Sequence, residues 1–295
     1  MKTEPYIYWC ADDFGITAAS CDRIAECAAN GCLNKISVLP NSDVEDIAGR
    51  LKKIRDIRKV TFCVHLNFVE GHCVSDKNDI PLLVDCGGSF KNSFTGLLKL
   101  SLSKSRKALR EQLKTEMKAQ ISRAATFFPE NEPLFIDSHQ HTHMIPLIFS
   151  VLCEVIEEEG LRVEYLRMPS EPVLPFLKFP SLYPQYISVN LIKQWLLKLF
   201  GLLNRKRFNA LNIKTACFFG IMFSGNMTEK RVARLLPAYR KYAAGRGCEI
   251  EILFHPGYVS EAGDAPYFKN IKFRKFYLSS GRRNEYDALI NISGN

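Results

Sequence analysis

Four short apolar runs in this chain end in groups that can bind a metal or move a proton. Ile7-Tyr-Trp-Cys-Ala11 is closed by Asp12 and Asp13, Val60-Thr-Phe-Cys-Val64 by His65, and Ile250-Glu-Ile-Leu-Phe254 by His255. Leu134-Phe-Ile136 is followed by Asp137-Ser-His-Gln-His-Thr-His143, which holds three of the six histidines. A parallel α/β arrangement brings the C-terminal ends of several strands around one point, so these residues imply one shared site.

The order of elements supports that arrangement. Apolar runs predict strands at 6–11, 35–40, 59–65, 133–138, 162–168, 215–220 and 248–254. Helical patterns lie near 18–30, 43–56, 104–127, 146–159, 187–203 and 228–244, and the part at about 265–292 reads as helical. Ser42 or Asp43 suits the N-cap of the second helix. Seven strands alternating with helices imply a parallel sheet. Polar groups fall at the ends of nearly every strand rather than at one switch point, which favours a closed or distorted (β/α) barrel over an open doubly wound sheet. No Gly-x-Gly-x-x-Gly follows the first strand, and there is no phosphate-cradling Gly-x-x-x-x-Gly-Lys motif. Residues 1–295 read as one domain with irregular insertions near 68–95 and 169–186. The first is too long for an ordinary connection and reads as a functional loop or lid.

Composition excludes several other classes. A hydrophobic fraction of 46% and a mean hydropathy of -0.09 fit a soluble chain with a sizeable core. No stretch has the layout of a signal peptide and none is long enough to span a bilayer, so a cytoplasmic protein is expected. The ten cysteines form no Cys-x-x-Cys pair and read as buried, reduced thiols. The net charge is +9, but the basic residues are scattered and no nucleic-acid motif is present.

The strand-end residues allow a specific chemistry. An Asp with two His supplies three protein ligands for a divalent ion and leaves positions for water and substrate. A second carboxylate beside it can take a proton from water, and an imidazole opposite can protonate a leaving nitrogen. Neighbours on a strand point to opposite faces, so Asp12 and Asp13 reach one site only if the strand turns there, and Gly15 offers such a turn. His139, His141 and His143 share parity and would face one way in an extended chain.

Taken together, these motifs resemble the YdjC-like carbohydrate deacetylases, which include the chitooligosaccharide deacetylases. The resemblance rests on Ala-Asp-Asp-Phe-Gly at 11–15, Asn30-Gly31, Pro40-Asn41, His65-Leu66-Asn67 followed by Glu70-Gly71, Asp-Ser-His-x-His-x-His at 137–143 with Pro146 behind it, Arg167-Met168-Pro169, and His-Pro-Gly at 255–257. It implies a distorted parallel (β/α) barrel of about seven strands, related to the polysaccharide deacetylases. It also implies one divalent ion, Mg or Zn, held by Asp13, His65 and His139, with Asp12 as general base and His255 as general acid. Asn41, Asp137, His141, His143 and Arg167 are expected to bind substrate or support the site, with Arg167 orienting His255 or a nearby carboxylate, or contacting the sugar. The substrate implied is an N-acetylated amino sugar in a small glycan or glycan intermediate. Other metallohydrolases on a similar barrel, of phosphoesterase or amidohydrolase type, and an inactive glycan-binding homologue are the alternatives.

One segment fits this picture in more than one way. In 187–203, Ile192, Trp195, Leu196, Leu199, Phe200 and Leu203 follow helical spacing, with Lys193 and Lys198 elsewhere on the helix and Arg205-Lys-Arg207 beyond it. It suits a helix packed on the barrel, a homodimer interface, a lid over the site, or a basic amphipathic helix resting on a membrane through 187–207.

Overall fold

The strand pattern decides which side chains face which layer. In β1 (Ile7–Phe14), Ile7, Trp9 and Ala11 join the apolar core beneath the helices, while Tyr8, Cys10 and Asp12 turn to the concave side of the sheet. The computed structural model describes residues 4–185, 188–260 and 271–292. After β1 come α1 (Ala18–Asn30), β2 (Lys35–Val38), α2 (Ile47–Ile57), β3 (Thr61–Leu66), α3 (Phe94–Ser101) and α4 (Arg106–Ala125). They are followed by β4 (Leu134–Ser138), α5 (Pro146–Glu158), β5 (Val163–Leu166), α6 (Val173–Leu177), α7 (Ser188–Leu211), β6 (Cys217–Phe219), α8 (Glu229–Ala244), β7 (Ile250–Phe254), α9 (Ile271–Tyr277) and α10 (Ser280–Asn291).

All seven strands are parallel, in the order β5-β4-β3-β2-β1-β7-β6. The sheet curls until its edges approach. Tyr165 of β5 bridges Lys214, just ahead of β6, and the Leu166 amide donates to the Lys214 carbonyl at 3.0 Å. Above that point β5 and β6 diverge, which makes the barrel distorted. The Glu171 carboxylate occupies the gap there and accepts the amides of Gly220, Ile221 and Met222.

The barrel interior is polar. Branched aliphatic side chains usually fill this space; here it holds Lys35, Ser37, Cys63, Asp137, Tyr165, Arg167 and Glu251. Lys35 Nζ lies 3.2 Å from Glu251 and 3.8 Å from the centre of the Tyr165 ring, and the Tyr165 hydroxyl donates to Glu251. Buried charges persist only when paired in this way. The apolar mass lies outside the barrel, in one cluster under α1, α2, α8 and α10 and another under α4, α5 and α7. All ten cysteines are free thiols, and seven of them are buried.

Several element boundaries differ from the sequence expectation. The second helix begins at Ile47, capped by Asp46, whose side chain accepts the Gly49 amide at 3.1 Å. Ser42 instead donates to the Gly15 carbonyl, so it ties two loops together rather than capping. The helix predicted at 104–127 is α4, and a short unpredicted helix, α3, precedes it at the end of the 68–95 stretch. The insertion at 169–186 contains α6 and a 3₁₀ turn at Pro180–Gln185. The stretch 68–95 is firmly anchored: Glu116 of α4 accepts the Val74 and Ser75 amides at 3.0 Å each, and Gln120 grips the backbone of Asn67. Ile80, Leu83 and Val84 from this stretch are buried in the core. The expected helix before residue 271 lies outside the described residues.

Candidate active site

Asp12 and Asp13 both reach the barrel mouth because β1 bulges there. The β1–β2 register shifts between Ala11 and Phe14, and Asp13 adopts φ 71°, in the left-handed region. The turn therefore sits at Asp13 itself, although Gly15 (φ 105°) is left-handed as well. Such strain in a non-glycine residue is retained where surrounding contacts over-determine it, and functional sites concentrate it. Asp13 is held on both oxygens. Oδ1 lies 2.8 Å from His139 Nδ1 and 3.3 Å from His65 Nε2. Oδ2 accepts the Tyr277 hydroxyl at 3.1 Å and Arg282 at 3.4 Å. Burial pushes this carboxyl up, but His139, His65 and His255 together hold it well below the usual range.

His65 and His139 share a design: each ring has one nitrogen directed at a carboxylate behind it and the other directed at Asp13. His65 Nδ1 lies 2.6 Å from Asp137, so Nδ1 carries a hydrogen and Nε2 is the nitrogen that an ion would engage. Nε2 is fully buried and makes no hydrogen bond. His139 Nε2 lies 3.2 Å from Glu70 while Nδ1 meets Asp13. Carboxylates behind imidazoles in this manner fix the tautomer and orientation of metal-binding histidines. The ligand atoms of Asp13, His65 and His139 lie within 4.8 Å of one another, so an ion fits among them. Burial lowers the imidazolium affinity of His65, but Asp12 and Asp137 outweigh it and raise its pKa to about 10. Asp13 and Glu70 likewise overcome burial and bring His139 to about 9. The same negative potential that retains these protons favours a metal cation.

The histidine cluster does not act as a unit. The chain leaves β4 at Ser138 in a tight 3₁₀ turn with Gln140 (φ 54°) and His141 (φ 60°) left-handed, so His139, His141 and His143 lose the common face that an extended chain would provide. Only His139 joins Asp13. His143 locks the turn: Nε2–H donates to the Arg167 carbonyl at 2.8 Å, which leaves Nδ1 to accept from Ser138 at 2.6 Å. Burial holds its pKa at about 4, so it stays neutral. His141 packs edge-on against Phe218, and its buried Nδ1 has no hydrogen-bond partner.

Arg167 organises the acids rather than His255. It is fully buried and donates to both oxygens of Asp12 at 2.8 and 2.9 Å; it also lies 2.7 Å from Asp137 and 2.6 Å from Glu251. Cys10, Asp137 and Glu251 come close enough to suggest a second metal group, but the Arg167 guanidinium already occupies the space between them. His255 stands at the end of β7 against α10. Its amide donates to Glu285, its Nδ1 lies 3.5 Å from the same carboxylate without a hydrogen bond, and Arg282 donates to its carbonyl. Asn41 anchors the neighbouring loop, donating to the carbonyls of Glu70 at 3.0 Å and His72 at 2.9 Å, and so holds Glu70 in place.

Sequence reasoning assigned no site role to Glu70, Lys193, Glu251, Tyr277, Arg282 or Glu285. Glu70 stood in a quoted motif, which was the available signal. Arg282 and Glu285 lie three apart on one helical face, a pattern too common to single out. Lys193 of α7 feels the acids Asp12 and Asp13; burial nevertheless brings its ammonium down to about 8. Beside Glu70 a cleft of about 360 Å³ opens, lined by Gly15, Ile16, Asn41, Ser42 and Asn67 among others. That volume lies at the small end of ligand pockets.

Fold and site together define a distorted (β/α) barrel with an acid–imidazole centre at the C-terminal ends of its strands. The sequence model of the YdjC-like protein family matches residues 6–292, and the chain belongs to that family. It is similar to a carbohydrate deacetylase of Mus musculus, 26% identical over 253 residues, covering 85% of this chain and 77% of that one. A carbohydrate deacetylase of Danio rerio is 28% identical over 180 residues, 57% of this chain; the match spans about half (51%) of that protein's length. A chitooligosaccharide deacetylase of Citrobacter koseri is 27% identical over 164 residues, 56% of this chain and 59% of the relative. The solved structure of a candidate cellobiose-phosphate cleavage protein from Enterococcus faecalis matches with a TM-score of 0.68, covering 99% of this chain and 93% of that one. At 18% identity that likeness concerns the fold alone.

Proposed function

We propose that this protein is a metal-dependent hydrolase that removes the acetyl group from an N-acetylated amino sugar in a small glycan or glycan intermediate. The observation that carries the reading is the convergence of Asp13, His65 and His139, with each imidazole backed by a carboxylate. The names of the relatives point to the same chemistry. A bound divalent ion, Mg or Zn, would polarise the acetyl carbonyl and stabilise negative charge developing on its oxygen. Asp12 takes a proton from the attacking water. Arg167 keeps it aimed, since both of its oxygens are held. The cleft beside Glu70 takes part of the sugar. His255, at the end of the strand next to β1, gives a proton to the departing nitrogen, which is a poor leaving group until protonated.

The test is acetate release from a panel of N-acetylated mono-, di- and lipid-linked saccharides, with chelator and with defined metals added back. No acetate from any of them under any metal would end the reading. Purified His65→Ala and His139→Ala are expected to bind far less divalent metal than the wild type. Undiminished metal in both would move the ion elsewhere.

The role of His255 is tested by changing the leaving group. His255→Ala should retain metal and lower kcat for the sugar amide by on the order of 10²-fold or more. An ester analogue needs less help from an acid and should suffer less. Equal losses on both substrates would instead assign His255 to orientation.

A further inference from the structure

The apolar stripe of α7 is not the face that packs. Gln194, Leu197, Phe200 and Asn204 are turned into the protein. On the opposite side Val189, Ile192, Trp195, Leu199, Leu202 and Leu203 are all more than half exposed, between 51% and 70%. A monomer in water gains nothing from six large apolar groups aligned this way, and such patches mark interaction surfaces. The patch continues onto α6. Lys198 shares a surface cavity with Val173 and Leu174, and the exposed Leu177 extends the patch.

The charge on the helix selects the partner. Between 188 and 211 the sequence carries Lys193, Lys198, Arg205, Lys206 and Arg207 and no acidic residue. Lys193 faces the site, and the other four flank or border the exposed stripe. A second copy docking face to face would bring together two helices that carry cations and no acid of their own. An apolar stripe edged by cations matches the boundary between acyl chains and anionic headgroups. No helix among the described residues is long and apolar enough to cross a membrane, so the contact is peripheral.

The same helix borders the barrel mouth. Asn190 donates to the carbonyls of Met222 and Ser224 beyond β6, and Gln194 exchanges hydrogen bonds with Glu171 beyond β5. We infer that α7, with α6, rests this protein on an anionic lipid bilayer surface and brings the barrel mouth close to the headgroups. If the proposed deacetylation holds, the substrate class favoured is an amino sugar carried on a membrane lipid; the docking itself does not depend on that reading.

The test uses the full chain and vesicles of equal parts phosphatidylcholine and phosphatidylglycerol, with pure phosphatidylcholine as control. Trp9 is buried and Trp195 exposed, and there is no third tryptophan, so a blue shift in emission on binding reports Trp195. The wild type should co-sediment with the anionic vesicles, shift its emission and release as salt rises. The triple variant Lys198→Glu, Arg205→Glu, Lys206→Glu should lower partitioning on the order of a hundredfold. Leu199→Asp with Leu202→Asp should lower it while leaving the far-UV spectrum unchanged. Absence of wild-type binding to the anionic vesicles would overturn the proposal. So would a concentration-dependent dimer abolished by the same two substitutions, which would assign the face to a second copy. Neither result bears on acetate release from soluble sugars, so the two readings fail separately.

Discussion

Asp12→Asn is expected to lower deacetylation by on the order of 10²–10⁴ while leaving bound metal in place. The carboxamide keeps the size of the side chain but cannot accept a proton from water. Arg167 does not lose all its partners in this variant, because Asp137 at 2.7 Å and Glu251 at 2.6 Å remain. The fold should therefore survive, and the loss should appear in kcat. Initial rates of acetate release, with metal content measured on the same preparation, decide the matter. Activity within a few-fold of wild type would place the base elsewhere.

Arg167→Met is expected to damage the protein itself. This guanidinium is fully buried and serves Asp12, Asp137 and Glu251 at once. Removing it takes the guanidinium from three buried carboxylates at once and leaves Asp12 with the fewest remaining partners. Breaking one buried pair typically costs about 3–5 kcal/mol. Total stabilities are only about 5–15 kcal/mol, so a large part of the folded population is at stake. Lys35 offsets some of the charge but already sits on Glu251 at 3.2 Å. Arg167→Lys should rescue only partly, because an ammonium cannot make the two parallel bonds to Asp12. Urea unfolding of the three proteins checks this. A loss below about 1 kcal/mol for Arg167→Met would be the behaviour of an exposed ion pair and would contradict the arrangement described.

The parallel barrel was legible in the sequence because its signals are local. A strand's apolar run and the polar residue that ends it are adjacent in the chain, so Asp12, His65, Asp137 and His255 could be assigned to strand ends from spacing alone. Partners across the barrel were not legible. Asp13 meets Arg282 at a separation of 269 residues, and no local pattern predicts that pairing. Lys35 inside a strand gave no sign that it would be fully buried, since burial there depends on Glu251 and Tyr165 arriving from other strands. Helical periodicity also has a definite limit. It identified an apolar stripe on α7, but periodicity says which residues share a face and not whether the protein covers that face. Parity does not extend through His139–His143, because a local left-handed turn resets which way each side chain points.

The adjacency of β1 and β7 has a consequence for how the molecule is made. Ile7 pairs with Ile250 and Ala11 with Phe254, so the strand made first needs one of the last as its neighbour. A ribosome adds about 5–20 residues per second. For many seconds, β1 to β5 can form a sheet whose β1 edge is unpaired. Throughout that interval Asp13 lacks Tyr277 and Arg282, and Arg167 lacks Glu251. The nascent chain is thus an open-edged sheet carrying uncompensated charge at its centre. An unpaired edge invites association with other chains, and the only charges on this one are Asp12 and Asp13 near its end. A product cut short before β7 would keep that edge open for good, and would be an aggregation hazard rather than a slightly impaired protein.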